Sequence, residues 1–353
     1  MKIGILTFYI ANNYGAVLQA YALKEYLKEC GHQAYCIDYR PGYLVNKYRP
    51  FSTERLYNGN PVKNFFKEIV FYGLIKQKNN VFDLFRKEYL SPLGIKKMHN
   101  CDLLIVGSDQ IWNFEIVGND QFFRGNISRF HGTIATYAAS MENTTKENVS
   151  CLKTVLDNFK YISVREASLQ KCLSDVYNTE SNLVVDPTLL LSKEKWNKIQ
   201  TDCKVGKGYI LVYMFSLSVK DKRNIENFAF LKNLKTVFIS SAIRIGRNFK
   251  NKLSPTEFVD LIANADYVIT NSFHGTAFSI LYNKKFITLC KGASNERVET
   301  LLGYFNLDKS MIQNTKQISE EKFMMIETFP DKFIKAIENS KSYLKRITVN
   351  IDS

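Results

Sequence analysis

Short apolar runs that end in a polar loop and lead into a helix-spaced segment recur along this chain, and that alternation admits few folds. KIGILTFY alternates and then runs apolar, as a buried first strand does. In the segment that follows, Val17, Leu18, Tyr21, Ala22, Tyr26 and Leu27 fall at helical spacing, and Gly31 suits a helix C-terminus. QAYCIDYRP reads as a second strand, which completes a βαβ unit with Asn12, Asn13, Tyr14 and Gly15 in its first loop. Ligands of open parallel sheets bind at such carboxyl-end loops. The glycine spacing does not match GxGxxG, so no dinucleotide fingerprint is read.

Residues 42–100 are less regular, with helices expected around 61–90. A buried strand is expected at Leu103–Val106, another at 133–140, a strand and helix start in YISVREASLQKCL, and a strand broken by Asp186 and Pro187 in NLVVDPTLLL. A second series begins near 207: strands in KGYILVYMF and LKTVFIS, a helix in SPTEFVDLIANA capped by Ser254 with Pro255 at its first position, the strand DYVIT, a helix in HGTAFSILYNK, and the strand KFITLC. The expected class is therefore α/β, with two Rossmann-like halves facing a cleft. The expected division is 1–191 and 192–330, with the boundary inside 192–206. An amphipathic helix over 331–353 is expected to pack back on the fold. A length of 353 residues suits two domains.

No apolar run approaches the roughly 18 residues that span a bilayer, and MKIGILTFYIANNYG lacks a cleavage pattern. A soluble, cytoplasmic protein is expected. Seven scattered cysteines without a CxxC fit reduced thiols better than a disulfide framework or a zinc site. The net charge is 48 − 34 = +14, spread along the whole length. No nucleic-acid motif accompanies it, so no nucleic-acid partner is expected. An anionic substrate or a membrane-borne acceptor suits the charge, as does an ordinary lysine-rich surface.

Three strand ends carry chemistry. At 270–276, TNSFHGT sets Asn271, Ser272, His274, Gly275 and Thr276 where a strand enters a helix N-terminus, a place that binds phosphate through free amides and the helix dipole. Gly275 would let a ligand approach the backbone; equally, Asn271 or Ser272 could only cap the helix. Arg165 ends a strand in SVREASLQ and can fork onto a phosphate or carboxylate, or pair with Glu166. At 107–113, GSDQIWN offers Asp109 as a general acid or base, with Gln110, Trp112 and Asn113 for a sugar, or else an Asx turn with Trp112 in the core. Asp186 reads as a turn with a capping carboxylate. His32, His99 and His131 stand in no grouping. No spacing indicates a metal site, an acyl-transfer nucleophile or a nucleotide-phosphate loop.

Taken together, TFYIANNYGAVLQAYAL, VGSDQIWN, SVREASLQ, VVDPTLLL and ADYVITNSFHGTAFSILYNKKFITL resemble the polysaccharide pyruvyl transferase family, in that family's order. The resemblance implies a fold similar to GT-B glycosyltransferases, phosphoenolpyruvate as donor with no further cofactor, and a glycan acceptor, free or lipid-linked, in surface polysaccharide biosynthesis. It implies that Arg165 and His274 hold the donor, and that the loop bearing Asn12, Asn13 and Tyr14 faces the acceptor. Many relatives carry an acidic residue just after the first-loop glycine. Here Ala16 and Val17 follow Gly15, so the general acid is assigned to Asp109 on chemistry alone. Two rival readings stand beside this one. A nucleotide-sugar glycosyltransferase would use Glu296 or Glu299 on a ribose. A non-catalytic glycan- or membrane-binding module would present the basic C-terminal helix, with Lys332, Lys335, Lys341, Lys345 and Arg346, to an anionic bilayer at the inner face of the membrane.

Overall fold

The computed structural model describes residues 1–51, 60–128, 130–142, 144–240, 246, 248–290, 295–307 and 310–349. Two parallel sheets organise the chain. The first contains β1 (Lys2–Leu6), β2 (Gln33–Asp38), β3 (Leu93–Gly94), β4 (Leu103–Val106) and β5 (Thr133–Thr136), in the order β3-β2-β1-β4-β5. The short pair β6 (Ser163–Val164) and β7 (Asn182–Leu183) extends it through bridges from Ala135 to Tyr161 and from Ala139 to Val164. Ile3, Ile5 and all four residues of β4 are fully buried, because helices cover both faces of a parallel sheet.

The helix α1 (Tyr14–Glu29) starts at Asn13, whose side chain accepts from the Ala16 amide, and ends before Gly31 at φ +86, a left-handed position that favours glycine. The expected helical region at 61–90 is one 25-residue helix, α2 (Pro61–Phe85), continued by a wide turn to Leu90. The helix α3 (Ala167–Tyr177) follows β6.

The second sheet contains β8 (Tyr209–Met214), β9 (Lys235–Ser240), β10 (Tyr267–Thr270), β11 (Lys285–Leu289) and β12 (Met311–Ile312), in the order β12-β11-β10-β8-β9. Its helices are α4 (Val219–Leu231), α5 (Pro255–Asn264), α6 (Phe273–Leu281) and α7 (Glu296–Gly303). Ser254 caps α5 in a reciprocal box with Glu257, as the sequence SPTE predicts.

The halves are not packed separately. One apolar cluster runs from Ile5 and Leu18 through Trp196 to Phe258 and Phe278. Tyr14 stacks on Phe258 at 4.5 Å and donates to the Leu253 carbonyl, which joins the start of α1 to α5. The last helix, α8 (Asp331–Val349), returns to the first half: Ser340 Oγ accepts from the Val185 amide, and Tyr343 donates to the Thr136 carbonyl. Residues 350–353 of the expected terminal helix lie outside the described residues. Among the described residues no helix is long and apolar enough to cross a membrane.

Both sheets reverse strand order at a definite place. In the first, the chain leaves β1 toward β2 on one side and β4 on the other; in the second, β8 is flanked by β9 and β10. Such switch points open crevices at the strands' carboxyl ends. Here the two crevices face each other.

Candidate active site

The loops after β1, β4, β8 and β10 enclose a pocket of about 420 Å³. Asn13, Asp109 and Gln110 line it from the first half; Asn271, Ser272 and His274 line it from the second. Asn271 Oδ1 accepts from the Phe215 amide at 2.9 Å, tying the two second-half loops together. Ser272 caps α6 by accepting from the Gly275 amide. The N-termini of α1 and α6 therefore meet at one place, and neither carries an acidic residue in its first turn. Two positive helix ends without a carboxylate on them favour an anion.

The meeting is tight. A Cβ on Gly15 would lie 2.0 Å from His274 Nδ1, so only glycine lets the imidazole lie against α1. His274 is buried, and its Nε2 has no hydrogen-bond partner; it lies 3.6 Å from Asp186 Oδ2.

Asp186 is the centre of the buried charge. Arg165 Nη1 donates to its Oδ2, and the Thr188 amide and hydroxyl donate to its Oδ1 at 3.0 and 2.7 Å. Burial alone would raise the pKa of this carboxyl. The His274 imidazole, the Arg165 guanidinium and the Thr188 amide outweigh burial and hold it well below the usual carboxylate range. Arg165 also lies 3.8 Å from Asp109 and 3.9 Å from Glu166, donates to Ser140 Oγ at 2.9 Å, and covers the Phe273 ring at 4.6 Å. Burial opposes its charge, but Asp186, Glu166 and Asp109 raise its pKa above the ordinary guanidinium value. Glu166 is fully buried; burial pushes its pKa up to about 7 against the pull of Arg165 and Ser140. Asp109 sits at φ +72, a conformation uncommon outside glycine, and its carboxylate accepts from the Gln110 amide at 2.9 Å.

Several sequence-based assignments are corrected by this geometry. Arg165 does not line the pocket: only 3% of it is exposed, because a guanidinium amid three carboxylates in a dry interior pairs inward. Trp112 is buried against Phe159 and presents no face to a sugar. Asn113 caps the turn Phe114–Val117 by accepting from the Glu115 amide. Asn12 is held by Asn79 and Arg86, and Tyr14 by Phe258, so of the first-loop residues assigned to the acceptor only Asn13 reaches the pocket. Thr276 is buried against Thr288. Gly275 serves packing rather than a ligand, since a Cβ there would lie 2.3 Å from Thr270 Oγ1. Glu296 bridges the halves, accepting from the Thr144 amide and hydroxyl and from Ser168 Oγ, and Glu299 is exposed away from the pocket lining.

Three participants escape sequence reasoning. Asp186 caps the turn Pro187–Leu189, as expected, by accepting from the Thr188 amide, and it is also the buried hub that pairs with Arg165, which the sequence did not show. Glu142 lines the pocket and accepts from Gln110 Nε2 at 2.8 Å. Arg297 lines the pocket from α7 and makes no direct hydrogen bond or ion pair with a described residue. Burial and the nearby Arg165 cation pull its pKa below the ordinary arginine value. Its position, second in a helix, matches no motif that could have flagged it.

Among solved structures, a putative UDP-N-acetylglucosamine 2-epimerase from Listeria monocytogenes superposes with a TM-score of 0.51 at 8% identity, over 99% of this chain and 96% of that one. The Staphylococcus aureus MnaA–UDP complex superposes with a TM-score of 0.50 at 11% identity, over 100% and 98%. These are likenesses of fold, and the paired Rossmann-like halves are of the GT-B type. No curated protein matches in a sequence comparison. The polysaccharide pyruvyl transferase profile matches residues 13–289, from the cap of α1 to the end of β11, and so takes in Asn13, Asp109, Gln110, Glu142, Asn271, Ser272 and His274 but not Arg297. The chain belongs to the polysaccharide pyruvyl transferase family.

Proposed function

We propose that this chain transfers the pyruvate unit of phosphoenolpyruvate to two hydroxyls of a glycan sugar, forming a cyclic ketal in surface polysaccharide biosynthesis. The observation that carries this reading is the convergence of two helix N-termini, His274 and Arg297 on one pocket that also holds Asp109. The donor is a small, highly anionic molecule, and these groups suit its phosphate and carboxylate.

Asp109 serves as the acid that delivers a proton to the methylene carbon, which becomes the methyl group. The adjoining carbon gains cationic character and is attacked by one sugar hydroxyl. The second hydroxyl then displaces phosphate and closes the ketal. One hydroxyl proton returns to Asp109 and the other leaves with phosphate, so the carboxyl is restored. Asn13, Gln110 and Glu142 are the polar groups available to the acceptor. Arg165 acts as a positioning residue. It neutralises Asp186 and Glu166, so that the negative donor does not meet two uncompensated carboxylates.

A thermal-shift titration tests the reading, because a ligand that binds the native state raises its stability by mass action. Phosphoenolpyruvate should raise the melting temperature, and release of phosphate should then require an oligosaccharide acceptor. Stabilisation by a nucleoside diphosphate with none by phosphoenolpyruvate would overturn it.

A further inference from the structure

The outward face of α2 is a surface that the pocket chemistry does not use. Val62, Phe65, Phe66, Ile69 and Val70 are all exposed, Phe66 by 63% and Val62 by 65%. At 100° per residue they form one stripe, spaced i, i+3, i+4, i+7 and i+8. Amphipathic helices of globular proteins turn such a stripe inward. Here the buried residues of the helix are Glu68, Lys78, Phe82 and Phe85, so the stripe is not the face that packs on the core.

The charges on this segment have one sign outward. Residues 61–77 hold three lysines and a single acid, Glu68. Glu68 is buried, while Lys67 and Lys76 are exposed. An outward stripe of phenylalanine and branched aliphatics with lysines and no outward carboxylate is complementary to an anionic lipid surface. The +14 charge of the whole chain acts in the same direction.

The stripe also has a defined relation to the pocket. Asn79 Nδ2 donates to the carbonyl of Tyr48, which lines the pocket. From Asn79 the stripe lies about 15–25 Å along the helix at 1.5 Å per residue. The basic C-terminal helix offers no such face: Phe333, Leu344 and Ile347 are buried on the fold, and its exposed large apolar residues, Ile334 and Val349, stand at opposite ends of α8.

We infer that the outward face of α2 between residues 62 and 72 docks the protein on an anionic lipid bilayer, with the pocket standing beside the membrane rather than away from it. The inference goes beyond the donor chemistry and does not depend on it.

Flotation of the full chain with vesicles tests it without any donor or acceptor. Vesicles of equal parts phosphatidylcholine and phosphatidylglycerol should carry the protein upward, and pure phosphatidylcholine vesicles should carry far less. The double variant Phe66→Glu/Ile69→Glu should lower the bound fraction about tenfold or more while melting like the wild type, because both side chains are in solvent. Lys67→Glu, a milder change, should weaken binding in the same assay. Failure of the wild type to float, or floating of the double variant at the wild-type level, would overturn the inference. So would a wild-type dimer that the double variant dissolves, since the stripe would then be covered by a second copy.

Discussion

Two neighbouring arginines, one behind the pocket and one lining it, share nearby carboxylates but differ in how closely they are paired. Arg165, at the end of β6, is buried and surrounded by Asp109, Glu166 and Asp186. Arg297, in the first turn of α7, faces the pocket with Asp109, Glu142 and Glu166 near it but no direct hydrogen bond or ion pair among the described residues. A buried guanidinium among carboxylates is committed to them, because separating the charges in a low-dielectric interior is expensive. One that faces an opening is available to an incoming anion. The difference teaches that an arginine's chemistry is set by what already surrounds it, not by its place at a strand end.

Substitution of the two arginines separates their roles. Arg165→Ala leaves buried carboxylates without their cation and should lower unfolding free energy by about 3–5 kcal/mol in urea titrations. If that variant unfolds like the wild type and loses only donor affinity, the contrast fails and Arg165 is a ligand residue. Arg297→Ala should leave the urea midpoint nearly unchanged and weaken phosphoenolpyruvate binding by about 10–100-fold in calorimetry, the loss of one charge-assisted contact of roughly 1.5–3 kcal/mol. Wild-type affinity in that variant would remove Arg297 from the donor site.

A smaller effect sharpens the view of the buried side. Glu166 has its pKa raised to about 7 in the folded chain, above the ordinary glutamate value of 4.5. The folded state thus holds a proton that the unfolded state releases. Its stabilising contribution is complete below about pH 4.5 and is lost as pH rises through about 7. Glu166→Gln should therefore gain stability relative to the wild type between pH 5 and pH 8, on the order of 1–2 kcal/mol once relaxation around the charged carboxylate is allowed for. A difference in urea stability that is flat across this range would show that Glu166 stays ionised beside Arg165.

The alternation of strands and helices was legible because each element announces itself locally: β4 is an apolar run, α5 opens on SPTE, and α1 closes at Gly31. The 270–276 segment was legible for the same reason, since a strand, a capping serine and a helix lie within seven residues. The charge network was not. Arg165 and Asp186 are 21 positions apart, and both are 88 or more from His274, so nothing in their spacing distinguishes a pair from two surface charges. Trp112 and Tyr14 misled in the other direction. An aromatic residue in a polar loop suits a sugar platform, but here each ring fills a gap between packed elements, against Phe159 and Phe258 respectively. Arg297 follows SNE, which forms no distinctive pattern, and only the placement of α7 brings it to the pocket.

The contact between Gly15 and His274 carries a constraint on inheritance. The residue that makes room and the residue that occupies it belong to different halves of the chain, yet they share a single volume. Neither half can therefore drift or be exchanged on its own. A chimera that joined this second half to a relative's first half with any side chain at the Gly15 position would fold each sheet and still displace the imidazole. The two halves are separable as architecture but inherited as one unit.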